Sequence, residues 1–398
     1  MPTRQGKSHS SAPAKQAEGA WKVPLSDVRV TDELLAETQA TVGSGWWSMG
    51  PRVAEFEGAF GDYVGSPHAL AVANGTAALH IALLAVGCRP GDEVVLPSLN
   101  FVAAANTILH TGAKPVFCDI HGDGDLNLDP DDLEAAVGPA TKALVLLHFG
   151  GFACDLAPVL DLARERGIAV IEDAAHAPGS RWNGQGLGAI GDIGCFSFFS
   201  NKNMPVGEGG MVLTGSDELA ERLRLLRSHG MTTLTWDRHR GHASTYEVVQ
   251  PGFNYRLDEL RAAIGLVTLA RLDEENAARR TVALRYRDAL HGQRGLELAF
   301  ADRLGEETSS HHLAMALLPP GVSRDAVRAS LAERRVQTSV HYPPIHRFAA
   351  YRELGESRPL PQTEEVEPRL LTLPLFGHLT DEQVELVTTS LLEAVDAA

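Results

Sequence analysis

From about residue 68 the chain alternates short apolar runs, rich in β-branched residues, with segments patterned for helices. This is the sequence sign of a largely parallel sheet covered by helices. The predicted strands cover 69–73, 93–96, 115–119, 143–148, 168–173, 195–199 and 210–214. Between them, Asp129 and Pro130 mark the start of a helix over 131–137, and a helix over 155–166 is stopped by Gly167. From Asp258 to about Leu290 an Ala/Leu/Arg-rich stretch with almost no breakers predicts one long helix, or two in line, leading out of the first domain. A second α/β unit follows, with a strand over 312–318, a helix over 324–334, the segment 340–345 and a last helix from Asp381. The expected organisation is a tail without apolar periodicity over 1–20, read as disordered, a large domain over 21–270 and a small C-terminal domain over 271–398.

Composition narrows the class. The 398 residues carry 44% hydrophobic and 22% charged side chains, enough to bury a large core. A formal charge of −16 argues against a nucleic-acid partner, which needs clustered Lys and Arg. No run approaches the roughly 20 apolar residues of a membrane span, and the N-terminus lacks a signal-peptide core, so a cytoplasmic protein is expected. Cys88, Cys118, Cys154 and Cys195 show no metal-ligand or CxxC spacing and read as buried thiols. Lysine is scarce: six residues against 29 arginines, with only Lys114, Lys142 and Lys202 beyond residue 22.

Three motifs carry candidate chemistry. Asn74-Gly75-Thr76 stands where a strand gives way to a helix, whose unpaired N–H groups and positive dipole end can receive an anion. The same residues can also make a plain turn with a Thr cap. Asp173 closes an apolar strand, which places its carboxylate at the C-terminal edge of the sheet, where open α/β sheets bind ligands; a strand-end Asp can equally cap a helix or bind a metal. Lys202 lies just past the strand ending in Ser197 and just before a Gly-rich turn, on that same edge. Lys114 precedes a strand and Lys142 begins one, so in a parallel sheet both belong to the opposite edge. Jointly the motifs supply what pyridoxal 5'-phosphate (PLP) requires: an amine for its aldehyde (Lys202), a carboxylate for the pyridine nitrogen (Asp173) and phosphate donors (Thr76, Ser197).

With these residues in view, the chain resembles the DegT/DnrJ/EryC1/StrS family of sugar aminotransferases, from about Ser44 to the C-terminus. The matching stretches are NGTAAL (74–79), PSLNFVAAANTILHTGAKPVFCDI (97–120), IEDAAHAPGS (171–180), FSFFSNKNMPVGEGGM (196–211), FNYRLDELRAAIGL (253–266) and VHYPPIH (340–346). The resemblance implies the α/β fold of fold type I PLP-dependent transferases, with a mostly parallel seven-stranded sheet and a smaller C-terminal α/β domain. It implies a catalytic set of Lys202, Asp173 and His176, with Lys202 holding the cofactor covalently and Asp173 pairing with its ring nitrogen. Gly75, Thr76 and Ser197 would hold the phosphate, Phe101 would stack on the ring, and His176 would lie near the ring and its phenolic oxygen. Asn254 would reach the phosphate site of a neighbouring subunit, which implies a homodimer with shared sites. Phe101 as a core aromatic and Asn254 as a helix cap are the competing readings.

His341 and Tyr342 fall in a segment that the family brings near the substrate, although His341 can also serve only to fix its loop. Asn100 departs from the family's usual Thr. An insertion-like stretch over 228–249 carries Trp236, Arg238, His239, Arg240 and His242, suited either to a nucleotide diphosphate or to ordering an interface loop. The implied reaction moves an amino group from L-glutamate or glutamine to a nucleotide-linked keto-sugar such as a dTDP-4-keto-6-deoxyhexose. Amination of a cyclitol ketone, or a regulator built on the same fold, are the alternatives. A dehydrating branch of the family carries His where this chain has Lys202, which argues against dehydration.

Overall fold

A computed structural model describes residues 21–233, 245–354 and 358–398; the segment 1–20 lies outside the described residues. In chain order the strands are β1 (His68–Val72), β2 (Glu93–Pro97), β3 (Lys114–Cys118), β4 (Thr141–Leu147), β5 (Ala169–Asp173), the hairpin β6 (Arg181–Trp182) and β7 (Gln185–Gly186), β8 (Ile193–Ser197) and β9 (Gly210–Thr214). Seven of these form one sheet in the order β1-β9-β8-β5-β4-β2-β3. Only β9 runs against its neighbours; every other pairing is parallel. The seven runs predicted from hydropathy fall on these seven strands.

Side-chain alternation on β8 shows how the sheet is held and why Ser197 points where it does. Phe196 and Phe198 are fully buried and pack with Phe56 and Phe60 from the helix Pro51–Val64, at centroid separations of 4.9 to 5.5 Å. Burying each ring contributes about 1.5–3 kcal/mol. With its even-numbered neighbours Phe196 and Phe198 committed to that face, Ser197 turns to the other, toward the start of the helix Gly75–Ala85. The two layers meet closely: a Cβ on Gly75 would lie 2.8 Å from Ser197 Cβ, and one on Gly210 would lie 2.7 Å from the carbonyl of Asn74. Both positions need glycine.

The Asp258–Leu290 stretch is two helices, Glu259–Ala270 and Leu272–Leu290, meeting at Arg271, whose φ of −111° and ψ of 3° leave the helical region. Leu272 sits in the core beneath the main sheet, while Val282, Tyr286 and Leu290 sit in the core of the C-terminal unit. One helix therefore has an end in each core. The C-terminal unit is a three-stranded antiparallel sheet, β10 (Glu297–Leu298), β11 (Ala314–Leu317) and β12 (Leu370–Leu373), flanked by helices that include Arg324–Glu333 and Asp381–Ala397. The chain also begins there: the N–H groups of Lys22 and Val23 donate to Arg335 O, and Val23 joins that core. Residue 21 onward was expected in the large domain, but a backbone pairing across more than 300 positions leaves no trace in local hydropathy. No helix among the described residues is long and apolar enough to cross a membrane.

Candidate active site

The parallel strands β1, β2, β4, β5 and β8 all end on one edge, and the residues just past their ends line a cavity of about 430 Å³. That volume suits a small-molecule site. Gly75, Thr76, Phe101, Asp173, His176, Ser197, Lys202, His341 and Tyr342 all border it. A larger groove, about 920 Å³, follows β3, where Lys114 at the start of the strand faces Glu93 at 4.0 Å.

At one end of the cavity the Gly75–Ala85 helix begins. Asn74, not Thr76, is its cap: Asn74 Oδ1 accepts the N–H of Ala77 at 2.8 Å. The amides of Gly75 and Thr76 are thereby left without an acceptor among the described residues, beside the Ser197 hydroxyl. Such a cradle fits a phosphate, with the helix dipole adding to the attraction.

The cavity is also lined by Asp173, 5% exposed, whose carboxylate accepts a single hydrogen bond among the described residues, from Ala175 N–H at 3.2 Å. Burial pushes its carboxyl above the usual range, against the pull of that amide, Lys202 and His148. A buried, under-bonded carboxylate is costly, and a cationic ring nitrogen is the partner that would relieve it. Lys202 lines the same cavity and interacts electrostatically with Asp173. Burial lowers its ammonium to about 8, with Asp173 opposing the shift, so a sizeable fraction of free amine is present near neutral pH. Anion cradle, amine and carboxylate thus match the phosphate, aldehyde and ring nitrogen of PLP.

Phe101 is 53% exposed on the cavity wall and is no core aromatic. Asn100, next to it, is buried and uses its Oδ1 to accept the N–H of Phe101. Asn254 does not cap the following helix, whose cap is Asp258. Asn254 is exposed and does not line this chain's own cavity. Burial lowers His341 to about 4, assisted by Lys202, and its Nδ1 meets Thr372 Oγ1 at 2.9 Å. Arg238 and His239, with Trp236, Arg240 and His242, lie outside the described residues.

The site also uses residues that sequence reasoning missed. His312, read only as the start of a strand, stands 4.5 Å ring to ring from His176, and its Nδ1 faces Asn203 Oδ1 at 2.9 Å. Asn203 Nδ2 donates to Asn276 Oδ1 and to Ser310 O, tying the lysine loop to the interdomain helix and to the C-terminal unit. The one available signal was the polar pair His311-His312 ahead of an apolar strand.

Fold and cavity together define a class: PLP-dependent transferases of fold type I, with the lysine at the strand-end edge of a mostly parallel sheet. Within it, residues 29–392 match the DegT/DnrJ/EryC1/StrS aminotransferase family. The chain belongs to that family and is an aminotransferase that uses PLP. It is 40% identical over 383 residues to the spore coat polysaccharide biosynthesis protein SpsC of Bacillus subtilis, covering 94% of this chain and 98% of that one. Among solved structures, the aminotransferase TlmJ of Streptoalloteichus hindustanus is 36% identical, with a TM-score of 0.87 over 94% of this chain and 99% of that one. Spr1654 of Streptococcus pneumoniae, solved in PLP and PMP forms, is 28% identical; the two forms give TM-scores of 0.87 and 0.88 over 94% of this chain and 99% and 100% of theirs.

Proposed function

We propose that this enzyme transfers an amino group from L-glutamate or glutamine to a nucleotide-linked keto-sugar of the 4-keto-6-deoxyhexose type, yielding an amino sugar. The observation that carries the reading is the buried amine of Lys202 lining one cavity with an anion cradle and a buried carboxylate. The kinship with a polysaccharide biosynthesis protein supports a sugar as acceptor. When bound, the cofactor supplies an aldehyde and an electron-accepting ring. Gly75, Thr76 and Ser197 bind its phosphate and Phe101 its ring face. Asp173 holds a proton on the ring nitrogen. Lys202 would anchor the group through its Nζ, and that amine, free while the amino donor is bound, would take the proton from the donor's α-carbon. In the second half-reaction the same amine moves a proton in the reverse sense at the sugar carbon.

Asn254 is assigned to the phosphate site of a partner subunit in a homodimer. Its exposure, and its absence from its own chain's cavity, support that assignment.

The test is the absorbance spectrum of wild type and Lys202→Ala, with and without L-glutamate. The wild type should show a band near ~420 nm that glutamate moves toward ~330 nm, and Lys202→Ala should form no stable band of that kind. A wild type that binds no PLP would sink the proposal. Keto-sugars linked to different nucleotides then define the acceptor.

A further inference from the structure

Gly150 sits in a left-handed turn, φ 63°, after β4, and its N–H donates to His176 Nδ1 at 3.4 Å. A backbone N–H can only donate, so Nδ1 must present its lone pair. His176 is 1% exposed, and burial beside Lys202 and His341 keeps its ring neutral. A neutral imidazole carries one proton, which must then be on Nε2. That N–H meets Tyr342 Oη at 2.7 Å, so the tyrosine oxygen accepts there and keeps its own proton for another partner. No acceptor for that proton is found among the described residues, and Tyr342 lines the cavity with Lys202 and Asp173. Burial and the charge of Asp173 push the phenol upward, so the proton is retained throughout the working range.

His176 is held on two further sides. Ser310 Oγ donates to its carbonyl at 2.6 Å, and the ring of His312 lies against it. His312 is itself fixed: both hydrogens of Asn203 Nδ2 are given to Asn276 Oδ1 and Ser310 O, so Asn203 Oδ1 can only accept, and His312 Nδ1 must donate to it.

We propose that His176 is a positioning residue whose fixed tautomer makes Tyr342 a one-way hydrogen-bond donor into the cavity, where the tyrosine hydroxyl binds an oxygen acceptor of the ligand. That oxygen belongs either to the cofactor ring or to the substrate. The inference rests on this cavity being the cofactor site, but not on the identity of the sugar.

The test compares holoenzymes of wild type, Tyr342→Phe, His176→Leu, the double variant and His176→Gln. Two readouts are taken: the pH midpoint of the cofactor absorbance without substrate, and KM and kcat for the amino donor and the keto acceptor. Tyr342→Phe should displace the spectral midpoint if the oxygen is the cofactor's. If the oxygen is the substrate's, the variant should leave the spectrum alone and lower kcat/KM for that substrate by roughly 10- to 100-fold. His176→Leu should move the same readout in the same direction, and the double variant should be no worse than Tyr342→Phe, because the histidine acts only through the phenol. His176→Gln, whose amide can accept from Gly150 and donate to Tyr342, should restore wild-type values; it also keeps the test decisive if the Leu variant folds poorly. Multiplicative losses in the double variant would overturn the proposal, as would a Tyr342→Phe enzyme unchanged in both readouts. A wild type lacking the cofactor band would refute the cofactor-site reading; a normal wild-type band with multiplicative losses refutes only the role of Tyr342.

Discussion

Glu172 and Asp173 are consecutive carboxylates at the end of one strand, and they are treated in opposite ways. Glu172, fully buried, accepts the N–H groups of Gly188, Ile190 and Gly191 at 2.7 to 2.8 Å and the Nε2–H of His148 at 3.0 Å. Those donors hold its carboxyl below the usual range despite burial. Asp173 faces the cavity with one donor, and burial raises it. The pleat of β5 sends the two side chains to opposite faces. On one face the protein completes the hydrogen bonding itself and gains rigidity; on the other it leaves the bonding unfinished, which leaves room for a ligand.

The largest expected effect comes from breaking the satisfied side. Glu172→Ala strands three amides and the His148 imidazole in a dry interior and should cost about 3–5 kcal/mol of folding stability. Denaturant unfolding of the cofactor-free protein would measure it, and a loss under 1 kcal/mol would mean that the cluster is not the anchor described. Asp173→Asn should behave differently. Stability of the cofactor-free protein should stay within about 0.5 kcal/mol of wild type or rise, while turnover falls about 100-fold or more through loss of the charge on the ring nitrogen. A variant with near-normal kcat would remove Asp173 from the mechanism. Gly75→Ala should weaken cofactor binding about 10-fold or more, because its methyl would meet Ser197 Cβ at 2.8 Å and push the anion cradle open. Equilibrium titration with PLP would check this.

How much of this was legible in the sequence follows from distance along the chain. Each of the seven sheet strands is a local run of apolar residues, and Asp173, Ser197 and Lys202 are each placed at the ligand edge by their distance from the end of a run. The cap of the Gly75 helix was misassigned in one alternative, because Asn74 and Thr76 are both good caps and only the geometry selects Asn74. β12 escaped notice because Leu-Leu-Thr-Leu follows a helix without an alternating pattern. The web that ties His176 and Tyr342 to Asn203, Asn276 and His312 was out of reach for a different reason. Its members are collected from both domains, and Asn203, Asn276 and His312 each alone read as ordinary polar residues.

The smallest effect is the most discriminating, because the two neighbours should respond to pH with opposite signs. The Glu172 carboxyl is lowered on folding, so its stabilisation is complete above the ordinary glutamate value of 4.5 and is lost as pH falls through the folded-state value. The Asp173 carboxyl is raised on folding, so its contribution is present below the ordinary aspartate value of 3.8 and is lost as pH rises through the folded-state value. In cofactor-free protein, raising the pH from about 3 to about 8 should therefore widen the stability deficit of Glu172→Gln relative to wild type, with the whole change falling below about pH 5. Over the same range Asp173→Asn should gain on wild type. Adding PLP should reverse the second trend alone, because a cationic ring nitrogen favours the ionised Asp173 and has no access to Glu172. Unfolding midpoints at several pH values, with and without cofactor, would measure both slopes. Equal slopes for the two variants would show that the carboxylates share one environment and that the contrast drawn between them is wrong.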